Sequence, residues 1–206
     1  MIDINTISFT DFDAVVLDLD GTLYQKPRMV WHMMVGDHCH LLELAGERIA
    51  RSWIAGRYYE SQKAYYQSYF RKIAQWFPFS AKHAEEWYFA HYLPTMLKVI
   101  QRYYRLNEWV QPLVEKAKAA GAKVVVYSDY EMIEEKFAIL GFDASQLDYA
   151  VCASELGGVK PCKESMQALL KMLKVTASRT LVIGDRDKTD GEAARRVGAR
   201  FICCKK

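Results

Sequence analysis

Residues 14–22 read Ala-Val-Val-Leu-Asp-Leu-Asp-Gly-Thr. The apolar run shows no polar alternation, the pattern of a strand covered on both faces in a parallel sheet. It predicts a strand over Ala14–Leu19 that delivers Asp18 and Asp20 at its carboxyl end. Carboxylates at i and i+2 of an extended chain point to the same side. Gly21 then allows a sharp turn. Two such carboxylates repel unless a cation or a shared proton settles the charge.

Similar apolar runs recur at Lys123–Ser128, Tyr149–Ala153, Thr180–Gly184 and Phe201–Cys204. Amphipathic stretches, predicted helices, occupy Trp109–Ala120, Tyr130–Leu140, Lys163–Leu173 and Gly191–Val197. Strands alternating with helices of this length build βαβ units, so the fold class is α/β with a Rossmann-like parallel sheet.

Residues 25–106 have a different texture. No strand pattern occurs, and apolar residues recur at helical spacing. The segment holds 17 of the 27 aromatic residues and all five histidines, with 12 Lys+Arg against 6 Asp+Glu. Its formal charge is therefore +6, against −3 for the remainder. Pro78 and Pro94 are expected to divide it into about four helices. The reading is a small all-helical insert after the first strand, with a core of residues 1–24 and 107–206.

Composition narrows the classes. The 206 residues are 51% hydrophobic and 26% charged with a net charge of +3, which excludes disorder and offers no polybasic tail for nucleic acid or a membrane surface. No apolar stretch reaches the roughly 18 residues of a transmembrane helix. The opening residues lack the basic and apolar regions of a signal peptide. Five cysteines without a CxxC do not form a disulfide framework, so the expected compartment is the cytoplasm.

In parallel sheets the chemistry lies beyond the carboxyl ends of the strands. Besides Asp18 and Asp20, those ends carry Ser128, then Asp185 with Asp187 and Asp190 behind it, and Gly157-Gly158-Val159-Lys160-Pro161 places a lysine on a loop. Strand-end aspartates can hold a hard cation such as Mg²⁺. A hydroxyl and an ammonium suit phosphate oxygens, a carboxylate can act as nucleophile, and a second can act as acid and then base. Each residue alone has an ordinary explanation as a strand-end or solvated polar group; their common placement argues otherwise.

Asp18-Leu19-Asp20-Gly21-Thr22, Ser128, Lys160-Pro161 and Gly184-Asp185-Arg186-Asp187-Lys188-Thr189-Asp190 resemble, in order, the four motifs of the haloacid dehalogenase-like hydrolase superfamily. The resemblance covers residues 8–24 and 107–206, and the insert matches the helical cap of the phosphatase branch by position. The 32 residues from Ser128 to Lys160 leave no room for a second insert.

The resemblance implies that Asp18 attacks phosphorus, Asp20 protonates the leaving group and then activates water, and Lys160 neutralises charge. Ser128, Asp129 and Lys160 would meet the phosphate. Asp18, the Asp20 carbonyl and Asp185 would bind Mg²⁺, with Asp190 behind them. Asp129 stands where many members carry an uncharged residue, which leaves its direction open; Asp187 is read as a solvated loop acid. Together these imply a Mg²⁺-dependent hydrolase of a small phosphorylated metabolite, acting through an aspartyl-phosphate, as monomer or homodimer, without nucleic acid or membrane. A phosphomutase and a non-catalytic binding protein of the same fold are the alternatives. A carbon-attacking dehalogenase would need neither the metal nor Asp20.

Two further patterns belong to the insert. In Asp37-His38-Cys39-His40 the histidines are two apart and do not share a helix face, which argues against zinc. Tyr58, Tyr59, Tyr65, Tyr66, Tyr69 and Phe70 follow helical spacing and read as a packing face rather than a base-stacking platform. Cys203-Cys204 is expected to be buried sulfur.

Overall fold

A computed structural model describes residues 3–205. In chain order, β1 (Ala14–Leu17) leads to helices α1 (Met29–Gly36), α2 (Leu41–Ile54), α3 (Gln62–Ala74), α4 (Ala81–Trp87), α5 (Leu93–Tyr103) and α6 (Val110–Ala119). Then follow β2 (Lys123–Ser128), α7 (Ile133–Leu140), β3 (Tyr149–Cys152), α8 (Lys163–Leu173), β4 (Thr180–Gly184), α9 (Glu192–Val197) and β5 (Arg200–Cys203).

The strands form one parallel sheet in the order β3-β2-β1-β4-β5. β1 is central, with Val15 paired to Val124 on one side and Leu181 on the other. This position explains its uninterrupted apolar run, since all four residues are buried. The edge strands depart from the expectation of full burial. Tyr149 at the start of β3 is exposed, and β5 is exposed at both ends. An edge strand has a paired neighbour on one side only, so more of its surface stays open to solvent. Hence Cys203 is exposed and Cys204 buried, which corrects the reading of both as buried.

Helices pack through the predicted spacing. α6 buries Val110, Leu113, Val114 and Ala117, and α8 buries Met166, Leu169, Leu170 and Leu173, each on one face. Ser61 and Ser80 cap α3 and α4 by accepting the amides of Ala64 and His83.

Pro94 does not separate two helices. A π-helical turn, Tyr88–Tyr92, joins α4 to α5, and Pro94 sits in the first turn beyond it. The wider turn relieves the clash between a proline ring and the carbonyl four residues earlier, and Pro94 has no amide to leave unpaired. In the aromatic cluster Tyr65, Tyr69 and Phe70 are buried while Tyr58 is exposed. Tyr65 stacks on Tyr69 at 5.8 Å and Tyr69 meets Tyr88 edge-on at 5.5 Å, so most of the cluster is core. Among the described residues no helix is long and apolar enough to cross a membrane.

Leu113→Ala should destabilise the protein by about 2–5 kcal/mol, because a fully buried side chain leaves a cavity behind. Lys82→Ala, which removes an exposed ion pair to Glu86, should leave the urea midpoint unchanged. Equal shifts for the two variants would contradict the packing described.

Candidate active site

β1 ends at Leu17, and the Asp18 amide makes one more sheet-like bond to the Ile183 carbonyl at 2.9 Å. The chain then turns at Gly21, whose φ of +110° suits glycine. A side chain there would strike the Asp185 carboxylate, so glycine also permits the loops after β1 and β4 to touch. Gly184 serves likewise for Asp190, since a Cβ at Gly184 would fall 2.4 Å from that of Asp190. Behind β4 the loop wraps around the Arg186 carbonyl, which accepts the amides of Thr189, Asp190 and Gly191.

Asp18, Asp20, Asp185 and Asp190 are all buried. Lys160 Nζ lies 2.5 Å from Asp18 Oδ1 and 2.7 Å from Asp190 Oδ1. Thr22 donates to Asp18 Oδ2 at 2.8 Å. Asp20 accepts from Tyr24 at 2.5 Å, from Lys136 at 2.8 Å and from Ser128 at 3.3 Å. Ser128 also lies 2.8 Å from the Tyr130 carbonyl. Lys205 reaches Asp185 Oδ2 at 2.5 Å, and the Lys26 ammonium sits on the Asp20 carbonyl.

Asp18, Asp20, Ser128, Lys160, Asp185 and Asp190 thus come together from separate strand ends. Asp129 is also close, yet its carboxylate accepts the Lys160 amide at 2.9 Å and so secures the lysine loop. A carboxylate facing a phosphate would repel it; a backbone donor satisfies Asp129 instead. Asp187 is exposed and pairs with Arg195 at 2.7 Å.

Sequence reasoning missed Lys136, Tyr24 and Lys26. Lys136 had a signal: in Ile133–Leu140 it shares the helix face of Ile133 and Phe137, and a lysine on a buried face needs a partner. Tyr24 is adjacent to the motif but acquires its role only from the turn that folds it back on Asp20.

The environment separates the two catalytic candidates. Burial pushes the Asp18 carboxyl above its ordinary value and Asp190 adds to this, while Lys160 acts against both. Burial also raises Asp20, but Lys136, then Lys26, outweigh it and hold that carboxyl below the ordinary value. Lys160 is pushed down by burial and, more strongly, up by Asp18 and Asp190, so it stays charged.

The donors fit a hard divalent cation. Asp18, Asp185 and Asp190 present oxygens within 4.8 Å of one another. Asp185 Oδ1 is buried without a hydrogen bond, while Lys205 sits on the other oxygen of Asp185 and Lys26 on the Asp20 carbonyl. All these donors are oxygens, the preference of Mg²⁺. In the insert, His40 meets Asp37 at 2.6 Å and the ring of His91 at 4.6 Å, whereas His38 is exposed and takes no part.

A family model described as haloacid dehalogenase-like hydrolase matches residues 12–198. No curated protein sequence matches the chain. Similar solved structures include a predicted phosphoglycolate phosphatase from Haemophilus somnus 129PT, at 20% identity and TM-score 0.61, covering 94% of this chain and 85% of that one. A 2-haloacid dehalogenase from Pseudomonas syringae pv. tomato DC3000 matches at 20% identity and TM-score 0.61, over 93% and 86% of the two chains. A proposed β-phosphoglucomutase from Thermotoga maritima matches at 18% and 0.58, over 92% and 84%. At these identities the likeness is one of fold.

The Asp20–Lys136 pair generates a test. Because its pKa is lowered on folding, Asp20 contributes stability that is present above about pH 4 and lost as pH falls through the folded value. Removing the cation in Lys136→Met should raise the Asp20 pKa, so the variant should lose this contribution at higher pH than the wild type. An NMR titration of the Asp20 carboxyl without divalent cations reads the shift; an unchanged titration would remove Lys136 from its role.

Proposed function

The chain belongs to the haloacid dehalogenase-like hydrolases, and from that premise we propose that it hydrolyses phosphate monoesters through an aspartyl-phosphate on Asp18, with Mg²⁺ as cofactor. The observation that carries this reading is the pair of buried carboxylates, each held by its own lysine, Asp18 by Lys160 and Asp20 by Lys136. A nucleophile and a separate acid–base group are what two-step phosphoryl transfer requires.

Asp18 attacks phosphorus through one carboxylate oxygen, and the bond from phosphorus to the ester oxygen breaks. Asp20 gives its proton to that oxygen, and the alcohol leaves. Water then attacks the phosphorus, Asp20 takes up its proton, and the bond to Asp18 breaks to release inorganic phosphate. The unliganded site favours ionised Asp20, the form the second step needs; an arriving phosphate dianion raises its pKa, and Asp20 then takes up from solvent the proton it gives in the first. Ser128, 3.3 Å from Asp20, and Lys160, 2.5 Å from Asp18, would bind phosphate oxygens. Asp129 acts by fixing Lys160.

Asp18, the Asp20 carbonyl and Asp185 would hold Mg²⁺, with Asp190 supporting Lys160. Bound there, the cation supplies the positive charge that keeps Asp18 ionised and offsets charge on the phosphoryl oxygens. The helical insert serves as a cap that shields the site and contacts the leaving group. Asp20, anchored by three side chains, favours this reading over the dehalogenase one, where a second acid has no task.

Turnover of an aryl phosphate should require Mg²⁺ and stop in excess chelator. Asp18→Asn should abolish it with the circular dichroism spectrum unchanged; retention within tenfold of the wild type would place the nucleophile elsewhere. Asp20→Asn should lower the rate by about 10²–10⁴-fold, with larger losses for alkyl than aryl esters when the first step is rate-limiting. Equal losses would count against proton donation to the leaving group.

A further inference from the structure

A cavity of about 500 Å³ opens beside Asp20 and extends under the insert. Its wall is built from Met29, Met33 and Met34 on α1, Leu41 and Leu44 on α2, and Met96 on α5. Four of the chain's eight methionines therefore converge on this one space. Met33, Leu44 and Met96 form the buried part, while Met34 and Leu41 lie at the open side.

Of the polar groups that share this wall, Glu47, Tyr130 and Lys26 are already engaged, and Arg186 faces Asp185 at 3.6 Å. Glu47 Oε1 accepts from Tyr69 at 2.8 Å and from Arg51 at 3.2 Å. Tyr130 lies 4.0 Å beneath the Arg51 guanidinium, and Lys26 caps the Asp20 carbonyl. Arg28 and Arg48 are exposed and line the mouth, where cations draw in a dianion without touching the interior.

The insert carries a formal charge of +6, yet the wall beside Asp20 is largely apolar. A sugar or nucleoside placed here would set its hydroxyls against methionine and leucine side chains and leave them unpaired. An aliphatic or aromatic skeleton would instead exclude water from that surface, and flexible thioether side chains adjust to its shape. We infer that the substrate is the phosphomonoester of an apolar alcohol, its carbon skeleton lying along the methionine wall while its phosphate meets Asp18 and Lys160. This assignment rests on the phosphatase reading for the word substrate; the affinity of the cavity for apolar groups does not.

Two measurements separate the claims. Ethyl-, butyl- and hexylphosphonate, which have no ester bond to cleave, are titrated calorimetrically into the wild-type protein with Mg²⁺. The affinity should rise about three- to fourfold per added methylene until the cavity is filled. Propylphosphonate should bind more tightly than its 2,3-dihydroxy analogue, and Met34→Gln should flatten the dependence on chain length. The corresponding alkyl phosphates are then assayed for turnover, where kcat/KM should follow the same order. Rising affinity with no ester hydrolysed would support the apolar site and refute the phosphatase reading. Affinity that is flat with chain length, or equal for the dihydroxy analogue, would overturn the inference whatever the turnover.

Discussion

Four carboxylates, Asp18, Asp20, Asp185 and Asp190, are buried at the carboxyl end of one sheet, and their mutual repulsion is the constraint on which the rest of the site depends. Buried charge persists only when paired and hydrogen-bonded. Two buried lysines meet this need from different elements. Lys160 enters from the loop before α8 and bridges Asp18 and Asp190; Lys136 enters from α7 and holds Asp20. Lys26 and Lys205 add positive charge where the site is open to solvent. Asp185, whose Oδ1 is buried without a hydrogen bond, offers an oxygen suited to a divalent cation.

The same pairing ties the insert to the sheet. Asp129 secures Lys160 through its amide, while its own carbonyl accepts from Arg51 of α2 at 3.0 Å. Two residues further on, Glu131 accepts from Tyr88 at 2.7 Å and from Tyr66. The short segment after β2 therefore holds Ser128 beside Asp20 and at the same time anchors two faces of the helical insert. Arg51 shows why the insert's charge is a poor guide to ligand chemistry. It is nearly enclosed by Glu47, Tyr65, Tyr69 and Tyr130, so one of the insert's cations is structural.

Division of labour follows from this arrangement. The sheet supplies charge placed by backbone geometry at strand ends, where small displacements are resisted by β-pairing on both sides of β1. The insert supplies apolar volume from three helices, lined by methionines whose torsional freedom tolerates variation in shape. Chemistry and selectivity can then vary separately, since no residue of the methionine wall bonds to the four carboxylates.

Much of this protein was legible in its sequence because local pattern and local chemistry coincide. The uninterrupted run before Asp18 identified the central strand, helical spacing identified the insert, and the order of Asp18, Ser128, Lys160 and Asp185 identified the strand ends. What escaped depended on contacts between distant segments. Lys136 lies 116 residues from the carboxylate it pairs with, Pro94 was absorbed by a π turn, and Asp129 turned to an amide 31 residues away. The sequence by itself determined the sheet, its helical insert and the polar residues that follow the strands, since these follow from periodicity and residue type. Tertiary structure alone decided which cation faces which carboxylate, and that methionine and leucine form the buried wall of the space beside Asp20 while Arg28 and Arg48 stay exposed at its mouth. Both depend on through-space distances that no local pattern encodes.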